Sequence, residues 1–193
     1  MIKPKVGVFG SAFDPPTRGH YDVLKQAAMF HDKILLVPSV GHPFSKKMLP
    51  FEYRVDMLGC FVKDIFINAC EIEICRLEES LVTKSVLSVV YTFDLMTALE
   101  AHYNNDVALS FIRGPDNAKK MTWQRFYRAY DIEKRWSIFT AVERVPVRSS
   151  LVRRLIAGGD MKKKNQSRIL NKQLLPSVFV YIKNKGLYLK GEQ

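Results

Sequence analysis

Cysteine is scarce in this sequence. The 193 residues include only Cys60, Cys70 and Cys75, an odd number without the spacing of a metal site. Cys60 and Cys70 stand among apolar residues, which is typical of small core side chains. The pattern argues against a disulfide framework, and we expect reduced thiols in a cytoplasmic protein.

Long apolar runs are also missing. No run approaches the roughly 20 residues that a membrane-spanning helix needs, and the apolar part of the opening MIKPKVGVFG is too short for a signal peptide. Apolar residues nevertheless make up 47% of the chain, which argues against disorder. We expect a single domain over residues 1–193, with a C-terminal helical segment at about 149–188, and no association with a membrane.

Negative charge is the third scarcity. Nineteen acidic residues face 30 lysines and arginines, for a net charge of +11, which suits an anionic partner such as a nucleotide or nucleic acid. Part of the excess lies in residues 162–172, interpreted as a solvated segment or, alternatively, as a basic rim that attracts anionic substrates. A nucleic-acid-binding module would interleave exposed aromatics with basic residues. That pattern is absent outside 162–172, so we do not expect nucleic acid as a partner.

Strand-like and helix-like segments alternate along the chain. The predicted strands are Lys5–Gly10, Lys33–Val37, Phe66–Ile74, Val107–Ile112 and Ser137–Val142. The predicted helices are Gly19–Phe30, Phe51–Val62, Ser85–Ala101, a short helix around Trp123–Arg128, a helix from Ser149 onward, and Pro176–Lys185. Such alternation predicts an α/β fold with a doubly wound, mainly parallel sheet.

Ligands of such sheets bind beyond the carboxyl ends of the strands. The loops with unusual composition all fall at those ends: Gly10–His20, Ser39–Lys47, Arg113–Asn117 and Val145–Arg153. We therefore expect these four loops to share one site.

The stretch GSAFDPPTRGH, from Gly10 to His20, is the most distinctive of these loops. It links a strand to a helix whose first turn carries Gly19 and His20. A helix N-terminus presents unpaired N–H groups to anions, a glycine allows close approach to the backbone, and a histidine can donate to a phosphate oxygen. The stretch therefore predicts a phosphate site.

The segment Thr17-Arg18-Gly19-His20 resembles the (H/T)xGH motif of the nucleotidylyltransferase superfamily, and GSAFDPP is similar to the sequence before it in nicotinate (or nicotinamide) mononucleotide adenylyltransferases. The resemblance implies a Rossmann-like fold and phosphate chemistry by His20 and Thr17. Asp14 lies near enough in sequence to influence the placement of the metal or phosphates. The implied ATP-binding residues of this motif are Gly10, Ser11, Phe13 and Gly19.

Two later segments fit the same resemblance. At the end of the fourth strand, it assigns Gly114 and Asp116 to the ATP ribose. Ser149 and Ser150 are good N-cap residues, and the resemblance of Val147–Arg153 to the family's I-S-S-T-x-I-R assigns them, with Arg153, to the triphosphate. Another register would make Arg154 the triphosphate arginine.

Further positions are implied more locally. Lys46 follows the second strand, as does the phosphate-handling lysine of the family. Tyr91 and Thr92 resemble a Y-T-x-D segment near the pyridine carboxylate, and Phe126 takes the position of a ring-stacking aromatic. The C-terminal stretch from Pro176 to Tyr188 resembles a family segment whose role is packing.

The implied reaction joins ATP and nicotinate mononucleotide into deamido-NAD and pyrophosphate, with Mg²⁺ bound through the ATP phosphates and no metal held by a protein cluster. Between Arg113 and Arg128 the only acidic side chain is Asp116. Because an amide needs an acceptor and a carboxylate does not, this composition favours nicotinate over nicotinamide mononucleotide, which stays an alternative.

Phosphopantetheine adenylyltransferase is another alternative, although such chains are usually shorter and lack the Gly-Leu-Tyr segment. Class I aminoacyl-tRNA synthetases share a similar motif but need a far longer chain. Whether the chain forms a homo-oligomer is left open.

Overall fold

The computed structural model describes residues 2–41, 47–83, 89–159 and 164–189. The chain divides into two compact units. Unit 1 comprises Met1–Ala12, Val23–Met48 and Ile67–Glu143, and unit 2 comprises Phe13–Asp22, Leu49–Phe66 and Arg144–Gln193. One point where the sequence passes from unit 2 to unit 1, between Asp22 and Val23, falls within helix α1 (Arg18–Ala27). The single-domain expectation stays a prediction.

Unit 1 contains a five-stranded, all-parallel sheet. Its strands are β1 (Lys5–Ser11), β2 (Lys33–Pro38), β3 (Glu71–Ile74), β4 (Ala108–Arg113) and β5 (Ser137–Thr140). They lie in the order β3-β2-β1-β4-β5, and the register pairs Gly7 with Ile34 of β2 and with Ser110 of β4. The chain builds outward from β1 in one direction and then returns to add β4 and β5, so the strand order reverses between β1 and β4. The predicted doubly wound parallel fold is confirmed.

Strand periodicity decides which side chains meet on each face of the sheet. Val6, Val8, Leu35, Val37, Leu109 and Phe111 belong to one buried cluster with side chains from the helices on that face. The neighbouring positions point to the other face, where His31 joins α1 to β4. The His31 Nδ1–H donates to the Ala27 carbonyl at 2.7 Å, so Nε2 accepts from the Ser110 hydroxyl at 2.5 Å.

Five further helices lie within the described residues of unit 1. They are α3 (Leu77–Thr83), α4 (Thr92–His102), α5 (Pro115–Ala118), α6 (Lys120–Trp123) and α7 (Ala129–Arg135). Helix α4 buries Phe93, Leu95, Met96 and Leu99, and α7 contributes Ile132 to the same cluster.

Unit 2 is built from helices around the first turn of α1. These are α2 (Phe51–Asp64), α8 (Ser149–Ala157), α9 (Lys164–Asn171) and α10 (Pro176–Lys185). Helices α2 and α10 pack together through buried side chains such as Phe61 and Ile182. The Asp64 carboxylate accepts from the Ser177 N–H at 2.6 Å and from its hydroxyl at 2.7 Å, which satisfies an otherwise free donor at the start of α10.

Several predicted elements needed correction. The third strand covers only Glu71–Ile74. Of the helix predicted over 85–101, residues 85–88 lie outside the described residues and α4 begins at Thr92, after an unpredicted α3. The helix predicted around 123–128 is interrupted, because Trp123 ends α6 and Arg128 has a left-handed backbone with φ 56°. Part of the basic segment forms α9, in which Leu170 is fully buried while Lys164 and Arg168 are exposed to solvent.

None of the helices within the described ranges has the length and apolar content needed to cross a membrane.

Candidate active site

A cavity of about 590 Å³ opens in unit 1 at the carboxyl ends of its strands. Gly10, Ser11 and Ala12 line it at the end of β1, and Ser39 and Gly41 line it after β2. Parallel α/β sheets bind ligands where the strand order reverses, and β1 lies at that point in this sheet. The cavity therefore occupies the position that the topology predicts for a ligand.

Five of the predicted site residues line this one cavity: Gly10, Ser11, Tyr91, Thr92 and Phe126. The aromatic part of its wall comes from two groups of rings. The Tyr91 and Tyr127 rings lie 4.9 Å apart between centroids, and the Phe126 and Trp123 rings lie 4.8 Å apart. Trp123 is itself a core residue stacked on Phe111. The cavity thus offers flat apolar surface of the kind that aromatic ligands bind.

Sequence reasoning missed two charged residues of the cavity. Glu78 of α3 is only 5% exposed and accepts a hydrogen bond from the Val40 N–H at 2.9 Å, which holds the loop after β2. Arg125 also lines the cavity. Arg125 adjoins the predicted Phe126 in sequence and could have been found from it, whereas Glu78 lies in a helix for which the sequence showed no signal.

The predicted ribose residues stand beside this cavity in sequence. Gly114 is the N-cap of α5, its carbonyl accepts from the Asn117 N–H at 3.0 Å, and Asp116 is exposed in the first turn. Among the described lining residues it is Asn117, next to Asp116, that faces the cavity. Lys46 lies outside the described residues.

The second group of predicted residues belongs to unit 2 and surrounds His20. The Thr17 backbone N–H donates to His20 Nδ1 at 3.0 Å. Because Nδ1 accepts this bond, the ring proton of a neutral His20 resides on Nε2. The Thr17 hydroxyl lies 2.9 Å from the same Nδ1, and Thr17 is fully buried. The structure therefore places Thr17 on the histidine ring, a partner that the sequence did not indicate.

Gly19 is required by packing within unit 2. A Cβ at this position would lie 2.9 Å from the Val147 carbonyl oxygen and 3.3 Å from that of Val145. The first turn of α1 is thereby held close to the segment before α8. This contact supplies a protein reason for the glycine, alongside the ligand approach that the motif implied.

The two serines of the second phosphate motif occupy the first turn of α8. The N-cap residue is Arg148 rather than a serine, and its side chain makes no capping bond, which corrects the expected cap. The Ser149 hydroxyl instead donates to the Pro15 carbonyl at 2.8 Å, while Ser150 is exposed. Ser149 therefore ties α8 to the first loop.

Arg153 points at the first loop, and its neighbour Arg154 is exposed. Arg153 Nη1 donates to the Asp14 carbonyl at 2.6 Å and lies 3.5 Å from Asp14 Oδ2. The alternation follows from the helix, since Val152 and Ile156 are buried on one side of α8. Asp14 and Phe13 are themselves buried, and the Phe13 ring lies 5.1 Å from the His20 ring.

Within the part of the chain that is described, no group of three or more His, Cys, Asp or Glu side chains is placed to hold a metal ion.

The three cysteines show no sign of an activated thiol. Burial raises the pKa of Cys70 to about 11 and also raises the pKa values of Cys60 and Cys75. These thiols stay protonated near neutral pH.

Comparison with known proteins identifies the class to which this fold and site belong. Residues 8–155 match the cytidylyltransferase-like family, a span that includes the cavity-lining residues and His20. The chain belongs to this family, and the predicted resemblance to nucleotidylyltransferases is confirmed.

Individual relatives narrow the comparison. A Myxococcus xanthus protein provisionally assigned as a nicotinate-nucleotide adenylyltransferase is 29% identical, with 95% of this chain and 94% of the relative covered. A crystal structure from Vibrio parahaemolyticus with the same provisional assignment has a TM-score of 0.76 at 29% identity, covering 97% of this chain and 96% of the other. Phosphopantetheine adenylyltransferase of Lachnoclostridium phytofermentans is 36% identical, but over only 32% of this chain and 37% of its own.

Proposed function

We propose that this chain is a nicotinate-nucleotide adenylyltransferase. A phosphate oxygen of nicotinate mononucleotide attacks the α-phosphorus of ATP, a new P–O bond forms, the bond to the β-phosphate breaks, and deamido-NAD and pyrophosphate leave. No covalent enzyme intermediate is needed, so the protein contributes positioning and charge stabilisation. The observation that carries the proposal is the tautomer of His20, with its ring proton on Nε2, in a chain similar to one of these enzymes over 95% of its length.

The phosphate chemistry is assigned to the residues of unit 2. His20 Nε2–H donates to a phosphate oxygen as charge develops in the transition state, and Thr17 holds the ring from behind through Nδ1. The α8 motif contributes Ser149, Ser150 and Arg153. The exposed Ser150 hydroxyl and the N-terminus of α8 suit the β- and γ-phosphates of ATP. Lys46 is proposed as a further phosphate contact from the loop after β2.

The cavity of unit 1 is proposed to hold the mononucleotide. Its volume of about 590 Å³ falls in the range of roughly 300–1,000 Å³ usual for small-molecule sites. Tyr91 and Phe126 supply ring surface for the pyridine, and the Arg125 guanidinium can pair with its carboxylate. Thr92 adds a hydroxyl, and Gly10 and Ser11 border the cavity where the phosphate motif begins.

The ATP ribose is assigned to the start of α5, where Gly114 gives access to the backbone and Asp116 offers a carboxylate to the hydroxyls. Mg²⁺ enters as part of the substrate MgATP, held by phosphate oxygens and water, which agrees with the oxygen-rich shell that this ion prefers. Asp14, buried among protein partners, is proposed to act on phosphate placement through the loop it anchors.

Nicotinamide mononucleotide is the second candidate, and Glu78 is the observation that favours it. A carboxylate in the cavity can accept from an amide N–H, whereas it repels a pyridine carboxylate. Because the Val40 N–H already occupies Glu78 Oε2, we assign Glu78 to the loop and Arg125 to the substrate.

Pyrophosphate release from MgATP should therefore be measured with nicotinate mononucleotide, nicotinamide mononucleotide and phosphopantetheine side by side. We expect the highest kcat/KM for the nicotinate compound. Arg125→Gln should lower that kcat/KM and narrow the preference, because a guanidinium–carboxylate pair is lost, while Glu78→Gln should leave the order unchanged.

A preference for the amide that Glu78→Gln abolishes would establish the second candidate instead. Turnover of phosphopantetheine alone, or no pyrophosphate from any of the three, would refute both.

A further inference from the structure

The first loop and the C-terminal end of unit 2 meet in a buried polar contact. Tyr188, whose ring was expected only to pack, donates its hydroxyl to Asp14 Oδ1 at 2.7 Å across 174 residues of sequence. Tyr188 is 3% exposed and Asp14 is 1% exposed. A buried carboxylate needs charged or hydrogen-bonded partners to offset its lost hydration, and the Tyr188 hydroxyl is one of these partners.

The local sequence explains how Tyr188 reaches this position. Gly186 ends α10 with a left-handed φ of 65°, and the Leu187 N–H donates to the Ile182 carbonyl at 3.1 Å, a common helix ending with glycine. The turn sends the chain inward, and Tyr188 itself has a φ of 66°. Because non-glycine residues rarely adopt this conformation, the surroundings must hold it in place.

Asp14 is held from a second side by α8. Arg153 Nη1 donates to the Asp14 carbonyl at 2.6 Å and lies 3.5 Å from Oδ2, and the Ser149 hydroxyl donates to the next carbonyl, that of Pro15, at 2.8 Å. The two carboxylate oxygens thus face different partners, Tyr188 on one and Arg153 on the other.

The direction of the hydrogen bond is set by the titration of the phenol. Burial, and then the negative charge of Asp14, raise the pKa of Tyr188 well above its ordinary value, against smaller opposing effects of Arg153 and Arg54. Tyr188 is therefore a donor across the physiological pH range. The accepting carboxylate is then satisfied without any group outside the protein.

The anchored loop leads directly to His20. Phe13, the residue before Asp14, has a φ of 47° and a ring 5.1 Å from that of His20. Three residues after Asp14, the Thr17 N–H donates to His20 Nδ1. A shift of the loop backbone at Asp14 would move both contacts that orient the imidazole.

We propose that Tyr188 is a positioning residue of the phosphate site: through Asp14 it fixes the loop 13–17 and thereby the aim of the His20 ring. This inference rests on the proposed function for the role of His20. The Gly186-Leu187-Tyr188 segment then contributes to ATP turnover in addition to packing.

The test compares two tyrosines whose hydroxyl groups each donate a hydrogen bond to an aspartate carboxylate. Tyr188→Phe removes only the hydroxyl on Asp14. Tyr181→Phe is the matched control, because the Tyr181 hydroxyl also donates to a carboxylate, Asp56 Oδ2, at 2.7 Å on the surface of unit 2. Both variants lose one hydrogen bond to a carboxylate, and only one of these bonds belongs to the phosphate loop.

We expect Tyr188→Phe to lower kcat by roughly tenfold to a hundredfold, as small misplacements of catalytic groups do, with the KM for the mononucleotide within twofold of wild type. Tyr181→Phe should keep kcat within twofold. In a double-mutant cycle, Asp14→Asn combined with Tyr188→Phe should be no slower than Asp14→Asn alone, because Tyr188 acts through Asp14.

A merely structural Tyr188 would lower the melting temperature and leave kcat unchanged at a temperature where both proteins are folded. That result, or an additive double variant, would overturn the proposal.

If no mononucleotide is turned over, the proposed function fails separately, and the stabilisation of each variant by MgATP in a thermal melt still tests the loop. In that case a MgATP-induced shift in Tyr188→Phe equal to that of Tyr181→Phe would overturn the proposal, and a clearly smaller shift would support it.

Discussion

At the scale of single residues, the proposed phosphate site depends on side chains that a ligand would not touch. Thr17 and Asp14 are both buried. Thr17 nevertheless contacts Nδ1 of His20 and so fixes the tautomer of the ring, and Asp14 anchors the loop before His20. Within this motif, polar residues are therefore expected to affect turnover in proportion to their effect on His20 rather than to their exposure.

Replacing His20 with alanine removes the proposed donor and should lower kcat by about 10²–10³, as loss of a transition-state donor does. Thr17→Val keeps the backbone N–H on Nδ1 and removes only the hydroxyl, so its loss should be smaller. Thr17→Ser, which retains the hydroxyl, is the control. All three are measured by steady-state pyrophosphate release.

The combination of Thr17→Val with His20→Ala should be no worse than His20→Ala alone, since residues acting as a unit are not additive. A His20→Ala enzyme within threefold of wild type would remove this histidine from the mechanism.

At the scale of elements, unit 2 contrasts two glycines in helices. In α1, Gly19 lies against backbone carbonyl oxygens, with a Cβ position 2.9 Å from the nearest one. In α2, Gly59 has nothing within 4 Å of its Cβ position. Backbone atoms cannot move aside as a flexible side chain can, so the same substitution should have opposite effects at the two positions.

Gly59→Ala should raise the free energy of unfolding by about 0.5–1 kcal/mol, because alanine has the higher helix propensity and a less flexible unfolded chain. Gly19→Ala should lower it by roughly 1–3 kcal/mol, as overpacking does, and should also slow turnover by displacing the first turn of α1. Urea unfolding and pyrophosphate release would measure the two effects. Equal stabilities of the two variants would contradict the packing argument.

At the scale of the whole molecule, the resolved titration shifts share one direction. Burial is the first cause of the raised pKa values of the three cysteines and of Tyr103, Tyr181 and Tyr188. Cys70 is shifted from 9.0 to about 11, with added effects of Asp32 and Glu71. A group with a raised folded-state pKa loses its proton first in the unfolded chain.

The stability contributed by Cys70 is therefore fully present below its unfolded-state pKa of 9.0 and is lost as the pH rises toward 11, whereas that contributed by the tyrosines begins to be lost above their unfolded-state pKa of 10.0. We expect the free energy of unfolding, measured in urea at pH 8.0, 9.5 and 10.5, to fall steadily. The fall should be smaller in Cys70→Ala, which removes one of the titrating groups. A free energy that stays constant over this range would show that the buried thiols and phenols do not titrate differently in the two states.

The sequence allowed much of the fold to be predicted, because its signals are local. Continuous apolar runs such as Lys33–Val37 indicate strands buried on both faces, and Pro176–Lys185 was predicted with the observed bounds. Errors fell where local signals conflict. The burial of Leu170 stabilises α9, and the basic composition of that segment does not indicate it. The left-handed backbone of Arg128 interrupts an aromatic segment whose sequence is otherwise compatible with a single helix.

By itself, the sequence determined the family, the doubly wound parallel fold and most of the candidate residues, since a strand, a glycine-rich turn and a helix start are encoded by neighbouring residues. Only the tertiary structure decided what those residues touch. It set Thr17 on the His20 ring, put Glu78 in the cavity with Arg125, and joined Tyr188 to Asp14. The physical reason is that burial and long-range hydrogen bonding depend on which elements pack together, and residues 174 positions apart carry no local sign of that contact.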